Sequence, residues 1–283
     1  MVPYKVSYHK PQTVAEAIQL LNQYEDECKI LAGGHSLIPV MKLRLSEPEN
    51  LIDITSIAEL KEIHDSADGI TIGACATHGE IAKNAALAEH APMVTQAAKM
   101  IGDVQVRNFG TIGGSIAHAD PSADWPAILL AANAAIIIQG EESKRRVEAD
   151  DFFQGLFATD LEENEIVVAI HIPKSAANRN STYHKFVQPA SRFALVGCAA
   201  AVEVNIGTVK TARVAFAGVS STPFRDGGIE NALQGKPLNA DSIEVATSNT
   251  ADGVSIMQDH FANEKYRKHL AGVYAKRALT ALI

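Results

Sequence analysis

The sequence predicts an α+β fold, in which strands and helices alternate at first and an antiparallel sheet with helices follows. Two observations carry this prediction. In the first part, short apolar runs alternate with segments whose apolar residues recur at helical spacing. The latter part contains longer strand-like runs joined by short connections rich in Asn, Gly, Pro or Ser, as in an antiparallel meander; these runs cover residues 166–172, 182–187, 194–204 and 209–219.

The N-terminal elements follow from local signals. Thr13-Val14-Ala15-Glu16 and Thr77-His78-Gly79-Glu80 have the form of capping boxes, each of which opens a helix. The Ala-rich stretch 81–101 is apolar at helical spacing, and Asp120-Pro121 is an N-cap and N1 pair that predicts another helix start. Three short apolar runs are strand-like, at residues 29–32, 51–54 and 70–74.

The C-terminus predicts a helix over about residues 258–282. Phe261, Leu270 and Leu279, with Val273 or Tyr274, recur on one face of this helix, while the basic residues, Arg267 among them, fall elsewhere. Residues 174–181 are polar and without pattern, which favours a linker.

Two glycine pairs are the most informative feature of the chain. They lie in Leu31-Ala32-Gly33-Gly34-His35-Ser36 and in Gly110-Thr111-Ile112-Gly113-Gly114-Ser115. Such glycines allow φ > 0 and remove the Cβ atoms that would hold an anion away, and a neighbouring serine adds a hydroxyl. The pair of loops predicts a cleft that holds a pyrophosphate from both sides. Neither G-x-G-x-x-G nor G-x-x-x-x-G-K-[ST] occurs, so a Rossmann domain and a P-loop are not expected.

Composition narrows the class of protein. The chain has 283 residues, of which 47% are hydrophobic, enough for two or three domains. A net charge of −8 without a Lys/Arg block argues against nucleic acid as a partner. Cys28, Cys75 and Cys198 are scattered, which favours buried, reduced thiols and a cytoplasmic protein, and they are too few for an iron–sulfur cluster. We expect neither a signal peptide nor a membrane span.

The residues of the two loops resemble a known family. Ala32-Gly33-Gly34-His35-Ser36-Leu37-Ile38-Pro39 and Thr111-Ile112-Gly113-Gly114-Ser115-Ile116-Ala117-His118 are similar to the paired FAD-binding loops in the medium subunit of molybdenum hydroxylases, the xanthine dehydrogenase and carbon monoxide dehydrogenase family. Met41-Lys42-Leu43-Arg44 and Asp120-Pro121-Ser122-Ala123-Asp124-Trp125-Pro126 are most similar to the carbon monoxide dehydrogenase type. The resemblance extends nearly end to end.

This resemblance implies a domain organisation. Residues 1–176 would form a two-lobed FAD-binding domain of the PCMH type, which is vanillyl-alcohol-oxidase-like, with lobes of about 1–55 and 56–176. Residues 177–283 would form a domain like the C-terminal domain of carbon monoxide dehydrogenase flavoproteins.

The resemblance also implies a noncovalent FAD site. The two loops would enclose the pyrophosphate, and Asp124 would bind the ribitol or a nearby polar group, unless it only favours a helix N-terminus. Lys185 would offset negative charge on the reduced flavin, or lie on the surface of its strand. Phe193 stands where related subunits often carry a tyrosine against the isoalloxazine. The expected FAD-binding residues are Ala32, Gly33, Gly34, His35, Ser36, Leu37, Thr111, Ile112, Gly113, Gly114, Ser115, Asp124, Val167, Lys185 and Phe193.

The implied function is electron transfer within a larger hydroxylase. A small partner subunit would carry two [2Fe-2S] clusters and a large one the molybdenum–pterin centre, in an (αβγ)2 assembly. The chain would pass electrons from the clusters through FAD to an external acceptor, and no catalytic acid or base is expected on it. The complex would lie in the cytoplasm, and an association with the inner face of the membrane is compatible with this.

Two other functions stay open from the residues alone: a self-sufficient FAD oxidoreductase, and a non-catalytic scaffold or assembly subunit. Two intact glycine loops disfavour the scaffold. For His35 and His118 a hydrogen-bonding role beside the loops is favoured over metal ligation, because no H-x-x-x-H or H-E-x-x-H occurs. Ser36 and Ser115 lie outside any G-x-S-x-G and are expected to be phosphate donors and not nucleophiles.

Overall fold

The computed structural model describes residues 3–283 and has the α+β class that the sequence predicts. The helices are α1 (Val14–Tyr24), α2 (Leu37–Lys42), α3 (His78–Ile81), α4 (Ala85–His90), α5 (Pro92–Met100), α6 (Val104–Phe109), α7 (Ile112–His118), α8 (Trp125–Ala131), α9 (Ala149–Phe152), α10 (Ala176–Arg179), α11 (Gly227–Leu233), α12 (Ala240–Thr247) and α13 (Glu264–Thr280). The strands are β1 (Ser7–His9), β2 (Cys28–Leu31), β3 (Asn50–Asp53), β4 (Ile63–Asp65), β5 (Gly69–Gly73), β6 (Ala135–Gln139), β7 (Lys144–Glu148), β8 (Phe153–Gly155), β9 (Ala158–Thr159), β10 (Ile166–Pro173), β11 (Ser181–Val187), β12 (Ala194–Asn205), β13 (Thr208–Ala217) and β14 (Phe224–Arg225).

The strands form three sheets and a short hairpin. The first sheet is parallel, in the order β1-β3-β2. The second is antiparallel, in the order β4-β5-β10-β6-β7, and the third is the antiparallel meander β11-β12-β13-β14. Strand β10 was expected in the meander, but it pairs with β5 and β6 in the second sheet. Its mostly buried apolar side chains suit this central position.

Each sheet has its own hydrophobic core. In the first, α1 packs Val14 and Ile18 against Ile52, and Val168 of β10 closes the same cluster. The second sheet packs against α3, α5, α7 and α8 around the fully buried Trp125. In the third, alternate residues of β12 face opposite sides, because side chains alternate along a strand. One row faces α13, while the other faces the core around Trp125, so the meander is fixed to the rest of the chain through both faces.

Several predicted boundaries are wrong, each because a side chain or a proline intervenes. The stretch 81–101 holds the last residue of α3 and two further helices: the Asn84 side chain caps α4 by accepting the N–H of Leu87, and Pro92 starts α5. The helix expected at Asp120-Pro121 begins at Trp125 instead. The Asp120 carboxylate accepts the N–H of Ser122 and makes a turn there, and Asp124 is the N-cap residue.

The two ends of the chain show similar differences. The Thr13 side chain caps α1, but the Glu16 carboxylate accepts the N–H of Gln12, so the reciprocal half of that capping box is absent. The last helix begins at Glu264, because the Asp259 carboxylate holds the preceding residues in a turn and Asn263 supplies the cap.

Arg267 of α13 was expected to face solvent, and it is 1% exposed. Its guanidinium donates to the carbonyls of Leu195 and Gly218, at 2.7 and 2.6 Å, and to the Asp259 carboxylate at 2.7 Å. It therefore connects α13 to the beginning of β12 and to the residue after β13. Helical spacing does not reveal this, because the partners come from distant parts of the chain.

The three cysteines are buried and unpaired, as predicted. Burial raises the pKa of the Cys75 thiol to about 12. Across residues 3–283 none of the helices combines the length and the apolar content that a bilayer crossing requires.

We expect Arg267→Met to lower the free energy of unfolding by about 3 kcal/mol or more, because two carbonyls and a carboxylate lose a buried partner. Lys276→Met on the same helix removes the exposed ion pair with Glu244 and should cost less than about 1 kcal/mol. Urea denaturation followed by circular dichroism measures both. Equal losses in the two variants would contradict the role given to Arg267.

Candidate cofactor site

A cleft of about 790 Å³ lies between the first sheet and the helices that cover the second. This volume is within the range of about 300–1,000 Å³ that ligand pockets occupy. Both glycine loops line the cleft, together with residues of β2, the start of β10 and the loop that precedes β12. The structure thus brings together the two loops, which are far apart in sequence.

The first loop carries free hydrogen-bond donors. It follows β2 and precedes α2, and Gly34 has φ of +71°, which glycine adopts without strain. The backbone N–H groups of residues 33–37 donate to no protein acceptor anywhere in the described chain. The Ser36 hydroxyl likewise makes no hydrogen bond within residues 3–283. Consecutive free N–H groups of this kind form an anion-binding concavity.

The second loop is held differently. Its N–H groups are used inside the protein: those of Ile112 and Gly113 donate to the carbonyls of Ala76 and Ala74, and that of Gly114 donates to the Thr111 hydroxyl. This loop lines the cleft with Thr111, Gly113, Gly114 and Ser115. Of these, Ser115 offers a free donor, since its hydroxyl has no hydrogen-bond partner in the described residues. The two loops are therefore not alike. The first has free backbone donors, whereas the second is held in place by its own amides.

Two of the glycines are needed for close approach and not for φ > 0. A Cβ built on Gly33 would lie 2.2 Å from the carbonyl oxygen of Phe109, and one on Gly113 would lie 2.5 Å from the Cβ of Ala74. Neither has positive φ. A larger residue at either position would separate packed backbone segments, so these two glycines are also needed for the packing of the fold.

Asp124 is 4% exposed and lines the cleft. One carboxylate oxygen accepts from the Tyr183 hydroxyl, and the other accepts from the Lys185 ammonium at 2.9 Å. Burial raises the pKa of Asp124, while the charge of Lys185 and the two hydrogen bonds oppose the rise. Burial also holds the pKa of the Tyr183 phenol well above its usual value, so the hydroxyl stays a donor.

Lys185 is not the surface lysine of the alternative interpretation, since its side chain is fully buried. Besides Asp124, the ammonium donates to the carbonyls of Met100 and Arg192, at 3.1 and 2.8 Å. All three of its donors are thus used within the protein. The structure does not bring Lys185 to the wall of the cleft; it ties Asp124 to the loop that carries Phe193.

Most of the other predicted residues line the cleft. Val167 is buried in β10 at the wall, and Phe193 is 41% exposed there. Ile112 is fully buried behind the second loop and does not face the cleft. The cleft-lining members of the predicted set are Ala32, Gly33, Gly34, His35, Ser36, Leu37, Thr111, Gly113, Gly114, Ser115, Asp124, Val167 and Phe193.

The histidines of the loops pack against aromatic rings. The His35 ring lies 6.1 Å from that of Phe109, and the His118 ring lies 5.2 Å from that of Phe157. Neither imidazole makes a hydrogen bond within the described residues, so the hydrogen-bonding role expected for them is absent inside the protein. In the same part of the chain, no group of three or more His, Cys, Asp or Glu is placed to hold a metal ion.

The sequence analysis missed His78, which lines the cleft and is 4% exposed. The Trp125 indole donates to its Nδ1 at 3.2 Å. Burial, with a smaller effect of His35 and Arg107, lowers the pKa of His78 to about 3, so the ring is neutral. In the sequence, His78 lies inside the capping box at Thr77, and no local signal there shows that its side chain reaches a cleft.

The cleft has few cations for an anionic ligand. Among the described residues, only Lys29 and Arg192 bring positive charge to its lining, against seven acidic residues, which are Glu25, Asp26, Asp120, Asp124, Glu162, Glu163 and Glu165. A phosphate here would be held mainly by neutral N–H and hydroxyl donors. This donor set suits a diphosphate, and the cleft extends from the two loops to the loop that carries Phe193. The residues present therefore fit FAD.

The cleft is lined by the free amides of residues 33–37, by the Ser36 and Ser115 hydroxyls, and by the loop that carries Phe193. These features are typical of a dinucleotide-binding protein. The family model for the FAD binding domain in molybdopterin dehydrogenase matches residues 4–175, and that for the CO dehydrogenase flavoprotein C-terminal domain matches residues 181–282. The chain belongs to the FAD-binding medium subunits of the molybdenum hydroxylase family, and it is an oxidoreductase subunit.

Relatives match the chain along its length. The carbon monoxide dehydrogenase medium chain of Hydrogenophaga pseudoflava is 38% identical, over 99% of this chain and 98% of the relative. The glyceraldehyde dehydrogenase medium chain of Sulfolobus acidocaldarius is 35% identical over 98% of both. Among solved structures, the carbon monoxide dehydrogenase of H. pseudoflava matches with a TM-score of 0.95 and 39% identity, covering 100% of this chain and 98% of the other. Quinoline 2-oxidoreductase of Pseudomonas putida 86 matches with 0.94 and 29%, covering 100% and 98%.

We expect Gly114→Val to weaken FAD binding by about tenfold or more. A Cβ at this position would lie 2.9 Å from the Thr111 hydroxyl oxygen and 3.6 Å from the Cβ of Ala32. The valine would therefore push the Thr111 side chain aside, fill the gap between the loops and disturb at least one charge-assisted hydrogen bond. Gly227→Val is the control, because Gly227 also belongs to a Gly-Gly pair in the first turn of a helix and its Cβ would meet nothing within 4 Å. Fluorescence titration of the apoprotein with FAD measures both. Unchanged affinity in Gly114→Val would contradict this geometry.

We expect Lys185→Met to lower the free energy of unfolding by about 3–5 kcal/mol at neutral pH, because the Asp124 carboxylate is left buried and unpaired. Removing the ammonium raises the pKa of Asp124 further, so the folded variant takes up a proton as the pH falls. The deficit relative to wild type should then be smaller at mildly acidic pH. Lys210→Met on β13, which breaks the exposed pair with Glu203 of β12, should show neither effect. Denaturation at several pH values measures both variants.

Proposed function

We propose that the chain is the FAD-binding electron-transfer subunit of a multi-subunit molybdenum hydroxylase. It takes electrons from [2Fe-2S] clusters on a partner subunit and passes them through FAD to an external acceptor. The observation that carries this proposal is the free amide loop of residues 33–37 facing the Ser115 hydroxyl across one cleft. Bound FAD supplies the reversible storage of one or two electrons; the chain holds and shields it.

The relatives support a division of labour between subunits. They belong to enzymes named for chemically unlike substrates, carbon monoxide, glyceraldehyde and quinoline, yet the present chain matches each over 98% or more of its length. A chain that recognised the substrate would be expected to differ in sequence and structure between such enzymes. We therefore place substrate recognition on the large molybdenum–pterin subunit and assign no substrate to this chain.

The residue roles in the site are part of the same proposal. The first loop donates its amides to the diphosphate, and Ser36 and Ser115 add hydroxyl donors. Val167 and Phe193 contact the isoalloxazine, where phenylalanine keeps a stacking face without the tyrosine hydroxyl. Asp124 accepts from a ribitol hydroxyl in addition to its protein partners, since a carboxylate has about four acceptor sites. Lys185 acts through Asp124 and through the Phe193 loop.

The assembly follows from this electron path. A flavin that receives electrons singly lies close to its donor cluster, so the chain has a permanent interface with the small iron–sulfur subunit, and two three-subunit units form an (αβγ)2 complex. The complex functions in the cytoplasm, where the three thiols stay reduced. Within the chain we place the domain boundary at residues 176/177, inside the short α10 that joins β10 to β11.

The proposal predicts how the flavin responds to substrate. Expressed alone, the chain should bind FAD but show no loss of the flavin absorbance when the substrates of related hydroxylases are added, although dithionite bleaches it. Expressed with its two partners, it should co-purify with iron and molybdenum. The flavin absorbance should then fall on adding the substrate of the complex.

Two results would contradict the proposal. One is bleaching by substrate without the partners, which would place the hydroxylation on this chain. The other is a preparation that takes up no FAD even when the cofactor is supplied in excess, which would favour a scaffold.

A further inference from the structure

His78 is held by contacts on three sides. Its backbone N–H donates to the carbonyl of Gly110 at 2.9 Å, and its Nδ1 accepts from the Trp125 indole. The Nε2 edge of the ring lies directly against Gly110: a Cβ on that glycine would be 2.8 Å from Nε2. The ring therefore cannot turn without displacing the residue from which the second loop starts.

The contact with Trp125 determines which ring nitrogen carries the proton. An indole N–H is only a donor, so the His78 Nδ1 that receives it has to be an unprotonated acceptor. A neutral imidazole then carries its single proton on Nε2. Trp125 is fully buried in the central core and begins α8, so this arrangement is fixed by the packing of the protein.

The Nε2–H donor has no partner in the protein. Across residues 3–283 no side-chain or backbone acceptor is hydrogen-bonded to it, although the residue is 4% exposed and lines the cleft. Within the described residues the fully buried side-chain nitrogen without a partner is Arg267 Nε, so the Nε2 atom of His78 keeps access to the cleft. An orientated donor that opens onto a ligand cleft and has no protein partner is placed to donate to the ligand.

The position of His78 identifies the part of the ligand that it meets. Gly110 immediately precedes the second loop, and Gly33 of the first loop packs against the carbonyl of Phe109. The Nε2 edge thus lies where the two loops come together, which is where the proposed function places the diphosphate. The acceptor there is an anionic oxygen, and the cleft supplies few cations.

We propose that His78 is a further cofactor-binding residue, whose Nε2–H donates to a diphosphate oxygen of the bound dinucleotide. The inference rests on the proposed FAD site and adds a donor from outside the two glycine loops. Trp125 is then a positioning residue, because it fixes the proton on the nitrogen that faces the ligand. The donor is neutral, so it gives a hydrogen bond without adding charge beside the flavin.

Two substitutions of His78 test the roles of its two ring nitrogens separately. In His78→Asn the side-chain oxygen replaces Nδ1 and still accepts from Trp125, but the donor facing the cleft is lost. In His78→Gln the amide nitrogen reaches the position of Nε2 and retains that donor. We expect Asn to weaken binding of both FAD and ADP by about tenfold, the loss of one hydrogen bond to an anionic oxygen, and Gln to restore most of it. Calorimetric titration of the apoprotein with FAD and with ADP measures the four constants against wild type.

The comparison of FAD with ADP tests the assignment to the diphosphate. Equal affinity of wild type and His78→Asn for both ligands would overturn the inference, and so would a loss for FAD alone, which would place the contact on the flavin. A wild-type chain that binds neither ligand would instead overturn the proposed function, and the inference with it. If the Asn variant does not fold, a measurement on wild type still tests the inference. Histidine ring NMR should show the proton on Nε2 of His78, and ADP should shift its signal. A proton on Nδ1, or no shift with ADP bound, would contradict the inference.

Discussion

The contact between Gly33 and the backbone at Phe109 and Gly110 is the constraint on which the site depends. A carbonyl oxygen 2.2 Å from where a Cβ would lie leaves no room for any side chain. This contact joins the loop after the first parallel sheet to the loop before α7, and so closes one side of the cleft. The cleft therefore lies between two separately packed parts of the chain. Contacts between backbone atoms set the width of the cleft. Backbone packing of this kind is stiff, which is appropriate for holding a cofactor in one position.

The two glycine loops differ in how their backbone amides are used. The second loop uses its amides to attach itself to the strand end at Ala74 and Ala76, and so becomes a rigid wall. The first loop leaves its amides free, and it can do so at little cost only if a ligand or water satisfies them. In the proposed site His78 adds a neutral donor where the two loops meet. Such a site would bind a diphosphate through N–H and hydroxyl donors with few cations, so fixed positive charge would add little stabilisation to electrons on the neighbouring flavin.

The C-terminal domain also contributes to the site. Tyr183 and Lys185 of β11 reach the Asp124 carboxylate, and Lys185 holds the carbonyl of Arg192 just before Phe193. Arg192 itself adopts positive φ, so the loop has a particular conformation that the lysine helps to stabilise. A buried pair between domains thus determines where the aromatic side chain lies at the cleft. The meander therefore helps to shape the side of the cleft at Phe193, although both glycine loops belong to the first domain.

The fold class, most of the strands and the two loops could be predicted from the sequence, because apolar periodicity and paired glycines are local properties. The family could be predicted as well, from motifs that are specific only in combination. The remaining features depend on contacts between distant parts of the chain. Lys185 is buried because it pairs with Asp124, 61 residues away, and Arg267 faces inward because it donates to Leu195, 72 residues away. The Nε2–H of His78 has no protein partner because Trp125, 47 residues away, donates to Nδ1 and so keeps the ring in one orientation. The same holds for the glycines: Gly34 needs its φ, whereas Gly33 and Gly113 need the absence of a Cβ, and only the neighbouring backbone distinguishes these two reasons.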